Sequence, residues 1–162
     1  MTVEKNGRQV DLTPEDMPDL PGIVQAVQEP GVKAVLIQRS RGYATRASLS
    51  VTARLNFRIM SSGLSIRNTH PSGSDLLILL VGSEFVETIE PTQVGADLIM
   101  GSLIKNPGGG LAPMGGYVAG RRDLVESTAT RMTVPGIGRE CGASLGNNRA
   151  LYQGLFLAPH TV

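Results

Sequence analysis

Four short apolar runs constrain the fold of this 162-residue chain more than any other feature. They are VKAVLIQ at 32–38, LLILLV at 76–81, VGADLIMGSLI at 94–104 and GGYVAG at 115–120. Short apolar runs bounded by polar or glycine-rich sequence predict buried strands. Because helical patterns alternate with these runs, we expect an α/β fold with a mostly parallel sheet.

Three segments have the pattern of helices. TPED at 13–16 predicts a helix start with Thr13 as the N-cap, and Pro21 either interrupts this helix or marks its true beginning. RRDLVESTATRM at 121–132 predicts a second helix. NNRALYQGLFLA at 147–158 predicts a third, whose apolar face is formed by Leu151, Leu155 and Phe156.

Composition argues against several classes of partner. The formal net charge is +1, so the chain has no basic field for nucleic acid, and aromatic residues make up only 4%, which disfavours base stacking. The longest aliphatic run, 76–81, is far too short to span a bilayer, and the N-terminus lacks the apolar segment of a secretory signal. We therefore expect no nucleic acid and no membrane as partners.

Cysteine and histidine usage argues against disulfides and metal sites. Cys141 is the sole cysteine, so no internal disulfide can form, and a reducing, cytoplasmic setting fits. His70 and His160 are far apart in the sequence and lack carboxylate or cysteine companions. We expect no metal ion to be bound.

The glycine-rich stretch GSLIKNPGGGLAPMGGYVAG at 101–120 holds the main candidate for chemistry. Because an apolar run precedes Lys105, we expect its amine near the interior, where burial favours the neutral form. A neutral amine can attack a carbonyl and form a Schiff base. Ser102 and the amides of the glycine turn could receive a phosphate. A phosphorylated aldehyde such as pyridoxal phosphate would satisfy both, whereas the alternative is a solvated loop lysine.

A basic loop, RSRGYATRASLS at 39–50, follows the first predicted strand. In open α/β sheets, ligands bind beyond the carboxyl ends of the strands. Arg39, Arg41 and Arg46 therefore either hold an anion or lie in an ordinary solvated loop.

Three longer strings carry a family resemblance: VLIQRSRGY, EPTQVGADLIMGSLIKNPGGGLAPMGGYVAG and MTVPGIGRECGASLGNNRALYQGLFLAPHTV. They closely resemble bacterial aluminium-resistance proteins, also called cystathionine beta-lyase-like or methionine gamma-lyase-like. That family is similar to fold type I pyridoxal-phosphate enzymes of cysteine and methionine metabolism. The resemblance implies that the chain is part of the large cofactor-binding domain, a mostly parallel sheet flanked by helices.

The resemblance also implies a function and site residues. Pyridoxal phosphate would be the cofactor, with Lys105 as its Schiff-base lysine and Ser102 as a phosphate contact. Arg39, Arg41 and Tyr43 would be candidates for substrate or phosphate contact. The activity implied is carbon–sulfur lysis of a small sulfur amino acid of the cystathionine or methionine type, in a family whose members can form homo-oligomers.

Three departures from the family argue that this chain is impaired. We expect residues 1–162 to be one partial domain that lacks the family's preceding segment and C-terminal domain. Residues 52–83 do not resemble the family although both flanks do, as compensating frameshifts would produce. The aspartate expected to pair with the pyridine nitrogen falls on Leu79, and Asp75 lies four residues off register, roughly 13 Å away along a strand. The alternatives are therefore a non-catalytic remnant or a small phosphate-binding module at Gly108–Gly110.

Overall fold

The computed structural model describes residues 7–51, 77–82, 87–133, 136–141 and 146–161. These residues form helices and strands in the order α1 (Leu20–Val27), β1 (Ala34–Gln38), β2 (Leu77–Val81), β3 (Leu98–Ser102), β4 (Gly116–Gly120), α2 (Arg122–Met132) and α3 (Asn148–Thr161). Short 3-10 turns lie at Pro91–Val94, Asn106–Gly108 and Gly138–Cys141.

The strands form one sheet in the order β1-β2-β3-β4. β1 pairs parallel with β2 and β2 pairs parallel with β3, whereas β4 returns antiparallel to β3. The predicted α/β class is confirmed, and each apolar run contains one of these strands. A mostly parallel sheet needs cover on its faces, and the helices supply part of it.

The first predicted helix start is wrong. Residues 13–17 form a turn, in which the Thr13 amide donates to the Met17 carbonyl at 2.7 Å and Asp16 adopts a left-handed φ of 59°. The helix α1 begins at Leu20, where the Asp19 carboxylate accepts the Gly22 amide at 3.1 Å. Pro21 lies in the first turn of α1, so it marks where the helix begins.

One face of the sheet carries the core. Ile37, Ile78, Leu80 and Ile99 are buried there, against Val27 of α1 and Leu49 of the loop after β1. The opposite face carries Leu36, Leu79 and Leu98, which neighbour one another across β1, β2 and β3. Leu36 keeps 64% of its surface exposed, because α2 packs against the β4 side of the sheet. The described residues therefore leave the second face uncovered over Leu36 of β1.

A buried carboxylate joins the strands at the opposite end from the candidate site. Asp97 is 5% exposed and accepts the Ile78 amide at 2.7 Å and the Arg121 guanidinium at 3.3 Å. The Arg121 guanidinium donates hydrogen bonds to Asp123 and to Asp97. Both bonds raise the pKa of Arg121, and the bond to Asp123 raises it more. The Arg121 hydrogen bond in turn lowers the pKa of the Asp123 carboxyl. This network anchors the start of β2, β3 and α2 together.

Helix α3 packs through its small residues. Gly154 and Ala158 are buried, whereas Leu155 and Phe156 are 40% and 82% exposed. Of the predicted apolar face, only Leu151 is half-buried, so that face supplies just part of the packing. Among the described residues, no helix is long and apolar enough to cross a membrane.

Candidate functional site

A cleft of about 1170 Å³ lies at the carboxyl ends of β1, β2 and β3, on the second face of the sheet. Val81, Met100 and Val118, which are cross-strand neighbours, form its floor, and α2 supplies one wall. Ser102 and Lys105 both line this cleft. The structure therefore brings the two leading candidates together at the edge where α/β sheets bind ligands.

Lys105 lies in the turn that leaves β3, and it is exposed. The prediction that an apolar approach would bury its amine is wrong, because the chain turns at Leu103, whose side chain enters the interior, while the next residue, Ile104, is 61% exposed. The Ser102 hydroxyl accepts the Ile104 amide at 3.3 Å, which leaves its proton free to be donated. An accessible amine and a hydroxyl donor thus face one cleft.

The glycines after Lys105 serve helix packing. A Cβ on Gly109 would overlap the Gly154 carbonyl of α3, and a Cβ on Gly154 would overlap the Gly108 carbonyl. The amides of Gly108 and Gly109 donate to the carbonyls of Lys105 and Asn106 at 2.8 and 2.9 Å. Two of the three amides in the predicted phosphate cradle are therefore already used by the turn itself.

The side chain of Arg39 is buried and does not line the cleft. Its side chain is 2% exposed, and its guanidinium donates to the Leu49 carbonyl at 3.0 Å and to the Glu87 carboxylate at 2.9 Å. Glu87 also accepts the Ser50 hydroxyl at 2.8 Å and the Val51 amide at 2.6 Å. This arrangement argues against the predicted ligand contact of Arg39 and gives it a role in holding the loop after β1.

The remaining residues of the basic loop do not share one environment. Arg46 donates to the carbonyls of Ser40 and Ala47 at 3.1 and 2.9 Å. Arg41 is exposed, Tyr43 is fully exposed, and neither lines the cleft. Ser40 does line it, together with Gln38. The structure therefore does not bring Arg41 and Tyr43 to Lys105.

Leu79 lies on the same face as the cleft. It is two residues from Val81 and pairs with Leu98, and both of these line the cleft. Among the described residues that line the cleft, none is an aspartate or a glutamate. Asp75 and most of the atypical segment 52–83, namely 52–76 and 83, lie outside the described residues. The described face thus presents a leucine where the resemblance expects a carboxylate.

Sequence reasoning does not reveal the surroundings of two further residues, Glu87 and Tyr117. Glu87 carries no local signal, because its partner Arg39 is 48 positions away. The hydroxyl of Tyr117 is buried without a partner among the described residues and lies directly over Gly101. The cross-strand pair of Gly101 and Tyr117 was visible only once the register of β3 and β4 was known.

The family model for methionine gamma-lyase matches residues 2–162. The chain belongs to the methionine gamma-lyase family. The uncharacterized protein YnbB of Bacillus subtilis is 46% identical over 155 residues, which cover 94% of this chain and 35% of YnbB. The predicted family is confirmed, and the chain spans about a third of the length of this relative.

Solved structures show the same relationship. A carbon–sulfur lyase involved in aluminium resistance from Clostridium novyi is 44% identical with a TM-score of 0.77, over 94% of this chain and 35% of that one. A proposed cystathionine beta-lyase involved in aluminium resistance from Listeria innocua is 47% identical with a TM-score of 0.76, over 92% of this chain and 35% of that one. This chain therefore corresponds to about a third of each of these proteins.

Proposed function

We propose that this chain carries the lysine-bearing part of a pyridoxal-phosphate-dependent carbon–sulfur lyase for sulfur amino acids of the cystathionine or methionine type. The observation that supports this most is the placement of Lys105 and Ser102 on one cleft at the carboxyl ends of the parallel strands. Family membership and the resemblance to a carbon–sulfur lyase add to it. We place the protein in the cytoplasm, with a small amino acid as its substrate and homo-oligomers as the family's form of assembly.

The residues present fit the cofactor only in part. The exposed Lys105 amine fits an aldehyde, and the Ser102 hydroxyl can donate a hydrogen bond to a phosphate. Pyridoxal phosphate, when bound, supplies an electron sink, and a carboxylate beside the ring nitrogen strengthens this sink by keeping the nitrogen protonated. Leu79 is apolar, and the described lining contains no acid. We therefore propose that the isolated chain captures the aldehyde at Lys105 but turns over little or no substrate.

Trapping the lysine tests this proposal. The purified chain is mixed with pyridoxal phosphate, its visible absorbance is recorded, and the adduct is reduced with borohydride and mapped by peptide mass. We expect one dominant label, on Lys105, which disappears in Lys105→Ala and persists in Lys33→Ala. Lys33 is the matched control, because it is also exposed and lies at the start of β1.

The outcomes of this experiment separate the alternatives. Labelling spread evenly over the exposed lysines, or absent, contradicts the proposed site and leaves a non-catalytic remnant. Protection from proteolysis by inorganic phosphate without any label favours a phosphate-binding module. A label on Lys105 together with measurable release of a thiol from cystathionine contradicts the proposed impairment.

Replacing Leu79 tests the missing electronic partner. We expect Leu79→Asp to retain pyridoxal phosphate about tenfold longer during desalting than the unmodified chain, because one good charge interaction is worth about 1.4 kcal/mol or more. Leu79→Asn is the control, since it has the same shape without the charge. Equal retention by the two variants would show that a carboxylate at this position does not reach the ligand.

A further inference from the structure

Tyr117 of β4 places a polar atom in the interior beside the cleft. The residue packs against the core cluster that contains Ile99, and it also lines the cleft. Its hydroxyl is buried and makes no hydrogen bond among the described residues. Buried tyrosine hydroxyls usually have a partner, because an unpaired one costs folding free energy. The sequence therefore keeps a hydroxyl at a place where phenylalanine would leave nothing unpaired.

The space that this hydroxyl occupies depends on a glycine of the neighbouring strand. Tyr117 pairs with Gly101 across β4 and β3. A Cβ on Gly101 would lie 2.6 and 2.7 Å from two ring carbons of Tyr117 and would overlap its hydroxyl. Any side chain at position 101 would therefore displace the phenol. Two residues together place the hydroxyl, since one carries it and the other leaves room for it.

The strand end beside this hydroxyl carries the two leading site residues. Ser102 follows Gly101 directly, and Lys105 lies in the turn that leaves β3. The Gly82 amide, at the end of β2, donates at 3.1 Å to the β3 carbonyl just before Gly101. Both glycines line the cleft. At these two positions, no side chain separates the cleft from Tyr117.

The charge of the cleft indicates which kind of atom suits the hydroxyl. Among the described residues that line the cleft, Lys105 is the only charged one. A cleft with one cation and no acid favours an anionic ligand. A hydroxyl donates a short, strong hydrogen bond to an oxyanion, and such a bond is strengthened where water is excluded. The Tyr117 hydroxyl is therefore suited to an anionic oxygen of a ligand held near Lys105.

We propose that Tyr117 is a ligand-binding residue of the Lys105 cleft, whose hydroxyl donates a hydrogen bond to an anionic oxygen of the bound ligand. The proposal rests on the proposed function only for the choice of that ligand, a phosphorylated pyridoxal compound. Tyr117 adds a donor from β4 to the hydroxyl that Ser102 supplies from β3. It also accounts for a buried hydroxyl that the described residues leave unpaired.

The test separates folding from binding by deleting one oxygen atom. Tyr117→Phe is compared with the unmodified chain and with Tyr152→Phe. Tyr152 is the matched control, because it lies on α3, is 73% exposed and does not line the cleft. Urea unfolding without ligand measures stability. Equilibrium dialysis measures the affinity for pyridoxamine phosphate, which carries the phosphate but no aldehyde and so binds without reacting with Lys105.

The two measurements should move in different directions. Without ligand, Tyr117→Phe should be at least as stable as the unmodified chain, because the deleted hydroxyl has no partner among the described residues. It should bind pyridoxamine phosphate about tenfold more weakly, because the ligand loses one charge-assisted donor. Tyr152→Phe should match the unmodified chain in both measurements. A residue that only packs would not lose affinity while keeping its stability.

Three results would overturn the proposal. Lower stability of Tyr117→Phe without ligand would show that the hydroxyl is bonded within the polypeptide. Unchanged affinity of Tyr117→Phe would show that the hydroxyl does not reach the ligand. An equal loss of affinity in Tyr152→Phe would show that the effect is not specific to the cleft.

Labelling of Lys105 with pyridoxal phosphate, run in parallel, separates this proposal from the proposed function. A label on Lys105 with unchanged affinity of Tyr117→Phe overturns the Tyr117 proposal alone. No label, together with weaker binding by Tyr117→Phe, supports the Tyr117 proposal and contradicts the aldehyde chemistry at Lys105. Absence of binding by either compound overturns both.

Discussion

Two junctions flank the cleft and are built on opposite principles. On the β3 side, the turn after Lys105 meets α3 through the backbones of Gly108, Gly109 and Gly154, with no room for a side chain. On the β1 side, the following loop is held by the buried pair of Arg39 and Glu87. The first junction requires residues without side chains, because the backbones are in direct contact. The second requires an ion pair between two buried or half-buried side chains. Both therefore resist substitution, but for different reasons and with different controls.

The largest expected effect comes from breaking the charged junction. Arg39→Met should lower the free energy of unfolding by about 4 kcal/mol, because it leaves a largely buried glutamate without its cation. Chemical denaturation measures this, with Arg41→Met as the control for an exposed arginine in the same loop. Equal costs for the two variants would show that the ion pair does not hold the loop.

The glycine junction should respond nearly as strongly. Gly154→Val should cost about 3 kcal/mol, because its Cβ would overlap the Gly108 carbonyl and force α3 away from the turn. Gly110→Ala is the matched control, since it lies in the same turn with open space around it and a φ of 73°. The control should cost only about 1 kcal/mol, from backbone strain. A Gly154→Val variant as stable as the control contradicts the close contact.

The smallest expected effect lies far from both junctions, at the Arg121–Asp123 pair. The Arg121 guanidinium lowers the pKa of Asp123 below its ordinary value, so the pair stabilises the fold above the usual aspartate range. This contribution is lost as the pH falls through the lowered pKa. Asp123→Asn should therefore lower the Tm slightly at neutral pH and not at all in strong acid. Both side chains are largely exposed, and added salt should shrink the difference. A Tm difference that persists in strong acid would point to the asparagine itself rather than the ion pair.

The strands and the position of the candidate lysine were predictable because they depend on local patterns. Short apolar runs predict strands that are buried in a sheet. The residues just after a parallel strand lie at the carboxyl edge of the sheet, whatever position that strand has in the strand order. The four strands were found on this basis, and Ser102 and Lys105 were placed together by the end of one of them. The three sequence strings that resemble the family indicated which cofactor these residues are expected to hold.

The remaining features depend on distant neighbours. The exposure of Lys105, the use of Gly108 and Gly109 against α3, and the packing of α3 through Gly154 follow from where the chain turns and what it meets there. The pairing of Arg39 with Glu87 joins residues 48 positions apart, and it argues against the predicted ligand contact of Arg39.

The amino-acid sequence by itself determined the α/β class, the family and the residues able to do chemistry, because those are properties of runs and strings. Only the tertiary structure decided which charges are buried and which glycines touch backbone. Burial depends on the order of strands in space, and that order is not written at any single position in the chain.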